Sequence, residues 1–261
     1  MMDLKLKDKV VLIIAATGDS GTATAKAFAN EGCTLAVTST SQAKLDALIP
    51  QLKGAKDVKG YVCDITKETD VEAAVNAVVS DFGRIDVCLT CSGYEGIHQE
   101  IIDATYEEFD INFQINFYGC LWVLKHVGRQ MKVQNGGTIV VLASNGSYVC
   151  CGGIPAYGAC KHAVAGLLKS AAKEFMAFGV RVNYICPGGL DTKLMRKTVE
   201  NFLPGKTYEE GCEIFSQAYL DHRLCTVEDV ANAMLFLASD MSSHMIGDAL
   251  CLDGGLAVDR K

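Results

Sequence analysis

The feature that most constrains this chain is a regular alternation of short apolar runs with longer segments of helical period. Val10–Ala15 is apolar throughout and reads as a buried strand, followed by a helix over Thr22–Asn30 whose alanines permit close packing. Leu35–Thr38 and Val58–Cys63 read as the next two strands, with a helix through Lys44–Leu52 between them. Asp70–Phe82 sets Val71, Ala74, Val75 and Val78 on one helical face. Ile85–Cys91, Thr138–Ala143, Val180–Ile185 and Ala249–Leu252 complete the strands. Helices are expected over Tyr106–Met131, Ala156–Phe178, 192–220 and 227–239.

Strands that are apolar at nearly every position, rather than at every second one, belong to parallel sheets covered on both faces. Right-handed crossovers make such a sheet doubly wound and place ligands at the carboxyl ends of its strands. The fold class is therefore α/β, a doubly wound parallel sheet. Residues 1–261 contain no linker, repeat or low-complexity stretch and read as a single domain. The segment 193–224 breaks the rhythm: it is polar and carries Pro204-Gly205. It reads as a lid over a site, or as a surface insertion without function.

Composition narrows the function classes. A net charge of -7 without a long basic run disfavours nucleic acid and anionic membranes as partners. No apolar run reaches the ~18–20 residues of a spanning helix, and the start at Met1 has no signal-type hydrophobic region. The 12 cysteines fall mostly within apolar segments, which suits free thiols in a reducing cytoplasm. Cys88-x-x-Cys91 lies in a strand-like run without a partner pair, and His98, His126, His162, His222 and His244 are scattered, so no metal site is expected.

Two motifs carry chemistry. Ala15-Ala16-Thr17-Gly18-Asp19-Ser20-Gly21 is a small-residue turn between a strand and a helix, where backbone N–H groups can meet a pyrophosphate. Tyr157 and Lys161 stand at i, i+4 on one helix face, preceded 13 residues earlier by Ser144 at a strand end. An ammonium beside a phenol favours the phenolate and lowers its pKa below about 10. Such a tyrosine can exchange a proton with an alcohol or ketone near neutral pH.

On these residues the chain resembles the short-chain dehydrogenase/reductase family over nearly its whole length, and the resemblance implies a Rossmann-like domain. Asp64, with Ile65, resembles the family's adenine-side Asp motif; Asn116 resembles its active-site Asn; Ser144, Tyr157 and Lys161 match its catalytic residues. Pro187-Gly188, with Leu190 and Thr192 beyond, resembles the nicotinamide-side loop, and Leu252-Asp253-Gly254-Gly255 the C-terminal signature. The resemblance makes Tyr157 the general acid/base and has Lys161 lower its pKa and bind the nicotinamide ribose. Ser144 orients the substrate oxygen, and Asn116 holds a water linking Lys161 to solvent.

Two departures stand out. The family's three turn glycines are here Ala15, Asp19 and Gly21, so a carboxylate stands beside the expected pyrophosphate unless it points away or caps the helix. The family's Asn-Asn-Ala-Gly is here Thr90-Cys91-Ser92-Gly93, which keeps room for a cofactor but loses amide hydrogen bonds. After the second strand, Thr38-Ser39-Thr40-Ser41 lacks the acid that holds an NAD ribose. Ser39 and Thr40, with Lys44 nearby, favour NADP(H), with NAD(H) as the alternative.

The expected substrate is a small molecule, an apolar secondary alcohol or ketone such as a hydroxysteroid or another alicyclic ketone. Tyr94, Gly146, Cys151, Leu190, Met195, Phe202 and Phe215 are the pocket candidates, with Tyr148 and Cys150 either lining it or packing beneath. The alternatives are a 3-oxoacyl-thioester reductase, to which a Lys125/Arg129/Lys132 stripe could bring an acidic carrier protein, and a non-catalytic dinucleotide sensor or scaffold. The resemblance further implies a homotetramer, or a homodimer, joined through the helices at 106–131 and 156–178.

Overall fold

A computed structural model of the protein describes residues 3–149 and 152–258. Seven parallel strands form one sheet in the order β3-β2-β1-β4-β5-β6-β7: β1 Val10–Ile14, β2 Thr34–Ser39, β3 Asp57–Val62, β4 Val87–Thr90, β5 Gly137–Leu142, β6 Val180–Pro187 and β7 Ala249–Leu252. The apolar runs are the central strands: β1, β2, β4 and β6 are buried at every position. β3 is half-exposed, as an edge strand with one uncovered side must be.

Helices α1 Asp19–Asn30, α2 Gln42–Leu48 and α9 Val227–Ala238 cover one face of the sheet, packing Phe28, Leu45 and Met234 against Ile13 and Leu35. Helices α3 Glu68–Phe82, α5 Gly119–Gln134 and α6 Pro155–Phe175 cover the other, packing Val75, Val127 and Leu168 against Leu12 and Ile139. Each fully buried aliphatic side chain contributes about 1.5–3 kcal/mol. The chain runs outward from β1 through β2 to β3, then returns to place β4 on the other side of β1. The helical connections after β1 and β4 thus diverge, opening a crevice at their carboxyl ends.

Three local departures from the sequence pattern shape that crevice. β1 ends one residue early because Ala15 turns into the left-handed region, φ 58°. The long helix expected from Tyr106 is α4 Tyr106–Asn112 and α5 joined by a π-helical segment, Phe113–Tyr118, centred on Asn116. Such insertions re-aim side chains within a continuous helix and are frequent at functional sites. The 192–220 region is two helices, α7 Lys193–Phe202 and α8 Tyr208–Ser216, separated at Pro204-Gly205, where Gly205 takes φ 86°.

Candidate active site

A groove of about 960 Å³ runs along the carboxyl ends of β1, β4, β5 and β6 and continues under α7 and α8. Thr17, Gly18, Asp19 and Ser20 line it from the first turn, Cys91, Ser92, Gly93 and Tyr94 from the β4 end, and Ser144 and Gly146 from the β5 end. Tyr157 and Lys161 enter from α6, and Pro187, Gly188, Leu190 and Thr192 from the loop after β6. Met195, Phe202 and Phe215 line its far part.

Ser144 ends β5 in an extended conformation and caps a short turn; its hydroxyl accepts the Gly146 N–H at 3.0 Å and donates to Asn145 Oδ1 at 3.1 Å. A Cβ on Gly146 would stand 3.3 Å from Tyr157 Cε1 and 3.4 Å from Ser144 Oγ. The serine and the tyrosine therefore flank one glycine, and only a residue without a side chain fits between them without displacing one.

Lys161 lies one turn beyond Tyr157, buried, with Nζ 5.4 Å from the phenol ring centroid. Burial lowers its pKa from the ordinary lysine value, and the thiols of Cys160, Cys120 and Cys186 push the other way. Those thiols are themselves raised by burial, Cys160 to about 11 and Cys120 and Cys186 to about 12. At neutral pH they are uncharged, so the ammonium has no carboxylate partner among the described residues. Its favourable surroundings are the tyrosine face and whatever occupies the groove.

Asn116 does not line the groove. Its amide is spent on the β4 loop: Nδ2 donates to the Tyr94 carbonyl at 2.8 Å and Oδ1 accepts the Tyr94 N–H at 3.1 Å. It also donates to the Asn112 carbonyl at 3.2 Å, one turn back. The side chain thus fixes the groove wall from behind. Tyr148 likewise packs beneath, its hydroxyl donating to Asp253 at 2.9 Å. Cys150 and Cys151 lie outside the described residues.

The dinucleotide end is arranged differently from the sequence expectation. Ala15 and Gly21 pack behind the turn, and a Cβ on Gly21 would collide with the Ala15 carbonyl. Asp19 does not cap α1; the N-cap is Gly18, and the carboxylate points away to α7, where it accepts the Lys193 N–H at 2.8 Å. Ser39 is buried and bonded to Thr17 Oγ1 at 2.8 Å, Thr40 is exposed, and neither lines the groove. Asp64 turns back on Thr66, accepting its hydroxyl at 2.7 Å, and Ile65 packs on Gly119. Sequence reasoning did not place Ala47 and Leu48 of α2, Gln51 of the turn that follows it, Glu95, or Thr198 in the groove. Glu95 follows directly on Tyr94, and an acidic residue inside a pocket-facing run was the available signal.

A nicotinamide dinucleotide fits these surroundings. The groove meets the N-terminus of α1 at Gly18, where an added Cβ would meet only the Ala15 carbonyl, at 3.8 Å. The backbone there stands open to a pyrophosphate. At the other end, the buried Lys161 ammonium opens into the groove with room for ribose hydroxyls to accept from it. Among the described residues no cluster suits a metal ion, the ten described cysteines are free, and no helix is long and apolar enough to cross a membrane.

Known proteins share this architecture. A family model described as enoyl-(acyl carrier protein) reductase matches residues 15–257. Secoisolariciresinol dehydrogenase from Forsythia intermedia is 35% identical over 256 residues, covering 97% of this chain and 91% of its own. Among solved structures, levodione reductase superposes with a TM-score of 0.93 at 32% identity over 97% of this chain and 99% of its own. NAD+-bound xylitol dehydrogenase does so with a TM-score of 0.89 at 30% identity over 96% of this chain and 100% of its own.

Proposed function

The chain belongs to the short-chain dehydrogenase/reductase family, and from that premise we propose that it is an NADP(H)-dependent oxidoreductase interconverting a secondary alcohol and a ketone. The observation that carries the reading is that Ser144 and Tyr157 meet at Gly146 on the groove wall, with Lys161 Nζ 5.4 Å from the centre of the Tyr157 ring. The relatives support the reaction class and a nicotinamide dinucleotide: the named proteins are dehydrogenases or a reductase, and one was solved with NAD+.

In this reading the groove from Thr17 to Gly93 holds the dinucleotide, with Lys161 on the nicotinamide ribose. The bound coenzyme supplies or accepts the hydride at the substrate carbon. Tyr157 gives its phenolic proton to the carbonyl oxygen during reduction and takes one from the alcohol during oxidation. The Lys161 ammonium stabilises the phenolate between these events. Ser144 Oγ turns its hydrogen from Asn145 toward the substrate oxygen and stabilises its developing charge. Asn116 acts by holding the Tyr94 segment, and so the wall against which the substrate lies. The apolar side chains of Leu190, Met195, Phe202 and Phe215 suit an apolar or alicyclic substrate and exclude water as α7 and α8 close.

NADP(H) is favoured over NAD(H) by Lys44, which lines the α2 end of the groove where no carboxylate lines it. The free, buried thiols accord with a reducing cytoplasm, and α5 and α6 remain the surfaces for a homotetramer. A thioester reductase docking an acidic carrier is less well supported. Lys125 of the basic stripe is held by Glu68 at 2.6 Å, and Lys132 lies 5.9 Å from the centre of the Phe178 ring.

The test is turnover of cyclic ketones and an acetoacetyl thioester with NADPH and with NADH, in wild type and Tyr157→Phe. Ketone turnover with NADPH that the substitution abolishes, with coenzyme binding kept within about 3-fold, is the expected result. Turnover of no carbonyl by wild type would leave the non-catalytic sensor reading in its place.

A further inference from the structure

The part of the groove between the β4 loop and α7 is lined by the apolar Leu190, Met195, Phe202 and Phe215 together with Lys193, Lys197 and Thr198. Into it the β4 loop sets a carboxylate, Glu95, half-buried and lining the groove. Its Oε2 accepts the Thr198 hydroxyl of α7 at 3.0 Å, and Oε1 has no hydrogen-bond partner among the described residues. Burial raises the pKa of the carboxyl and no cation offsets it, with Thr198 alone pulling the other way. A partly desolvated carboxylate with one hydrogen bond is costly unless something in the pocket donates to it.

Glu95 also stands on a fixed base. Asn116 clamps the residue before it, Tyr94, through both backbone N–H and carbonyl. The residue after it, Gly96, takes φ 89°, and a Cβ there would collide with the Glu108 carboxylate. Glu108 in turn accepts the Ile97 N–H at 3.2 Å and is held by Asn112 Nδ2 at 2.8 Å. Loop 94–97 is thus pinned at both ends by consecutive turns of the α4 and π-helical segment. A side chain on such a mount is preorganised for recognition.

We propose that Glu95 is a specificity-determining residue: it accepts a hydrogen bond from a hydroxyl on the substrate, borne at a carbon other than the reacting one. The substrate class is then a hydroxylated alicyclic ketone, or the corresponding diol, with an apolar body against Leu190, Met195 and Phe202. This deepens the alcohol/ketone reading and rests on it. The rival role for Glu95 is a pin joining the β4 loop to α7 through Thr198.

The experiment compares kcat/KM with NADPH for cyclohexanone and for 3- and 4-hydroxycyclohexanone in wild type, Glu95→Gln, Glu95→Leu and Thr198→Val. Wild type is expected to prefer at least one hydroxylated ketone over the parent. Glu95→Leu lowers kcat/KM on that ketone about 10- to 100-fold, the scale of a lost hydrogen bond to a buried polar group, while cyclohexanone stays within about 3-fold. Glu95→Gln retains an acceptor and falls between. Thr198→Val removes the pin, together with the hydroxyl's contact to the Leu194 carbonyl on its own helix, and leaves the preference in place. The inference is overturned if wild type shows no preference, or if Glu95→Leu and Thr198→Val lower turnover of all three ketones in the same proportion. If wild type reduces none of them with either coenzyme, the ketone-reductase reading itself falls, and this inference falls with it.

Discussion

The Asp19 carboxylate accepts the backbone N–H of Lys193 at 2.8 Å, tying the first turn of α1 to the first turn of α7 on the rim of the groove. Lys193 Nζ approaches the other carboxylate oxygen at 3.5 Å. The acid occupies a position where the family's turn carries glycine, beside the expected pyrophosphate. Its charge is only partly offset, because the Lys193 side chain is largely exposed and screened by water. The carboxylate thus ties α7 to the first turn, while its charge stays on the rim of the groove.

Asp19→Asn separates those effects, since the amide oxygen can still accept the Lys193 N–H. NADPH affinity is expected to rise about 2- to 5-fold, the scale of one charge removed a few ångströms away near a protein surface. Salt screens the repulsion present in wild type. The gap between the two proteins should therefore narrow as ionic strength rises. Fluorescence titration at low and high salt measures both; equal affinities at low salt would show that the charge is directed wholly away from the coenzyme.

Lys44 is the exposed cation at the α2 end of the groove and has no ion-pair partner among the described residues. Lys44→Met keeps its aliphatic stem and removes its charge. An exposed, charge-assisted contact to a 2′-phosphate is worth about 1 kcal/mol or somewhat more. The expected outcome is a 5- to 10-fold rise in KM for NADPH with KM for NADH changed less than about 2-fold. Parallel changes for both coenzymes would remove Lys44 from 2′-phosphate recognition.

The sheet was legible because burial on both faces leaves a plain trace: Val10–Ile14 carries no polar side chain. Val180–Pro187 was less plain, because it buries Arg181 and Asn183, whose polar atoms are satisfied by Ser242, Leu237 and Met245. Tyr157 and Lys161 were legible because helical spacing fixes a shared face whatever surrounds the helix. Asn116 was expected to hold a water, whereas its amide is bonded to Tyr94 and Asn112. The π-helical insertion that aims it at Tyr94 depends on tertiary packing of Phe113–Tyr118 and leaves no period of its own in the sequence. Asp19 was marked as out of place beside a pyrophosphate, yet its partner lies 174 residues away, a separation that no local pattern encodes. Lys44 was legible as a neighbour of the hydroxyl run, while Ala47 and Gln51 enter the groove only through the docking of α2 and the turn after it on the sheet.

Ala15 stands at φ 58°, where a residue with a Cβ pays roughly 1–2 kcal/mol that glycine does not. Ala15→Gly relieves that strain and loses part of the gain to the greater freedom of the unfolded chain, about 0.4–1 kcal/mol. The net expectation is about 0.5–1 kcal/mol of added stability, a rise in Tm of roughly 2 °C for a domain of this size. The turn keeps its shape because Ala15 N–H donates to Thr38 Oγ1 at 3.1 Å in either variant. Calorimetry checks the shift; a fall in Tm would show that the alanine methyl packs more favourably than its backbone is strained.

Glu95 carries a pH signature independent of turnover. Its pKa is raised in the folded protein by burial, so the folded state holds the proton more tightly than the unfolded chain. The associated stability is complete below the unfolded carboxylate value of about 4.3 and is lost as pH rises through the folded value. Glu95→Gln has no proton to lose and can still accept the Thr198 hydroxyl. The Tm of the variant relative to wild type should therefore climb as pH rises above the unfolded value and end about 1–2 °C higher, a modest gap because the group is only half-buried. Binding a hydroxylated ketone with coenzyme present should close that gap at pH 8, because the ligand then stabilises wild type more than the variant. Thermal melts across this rise in pH, with and without ligand, measure it. A difference that stays flat with pH would mean that Glu95 reaches solvent freely in the folded protein and is no buried acceptor.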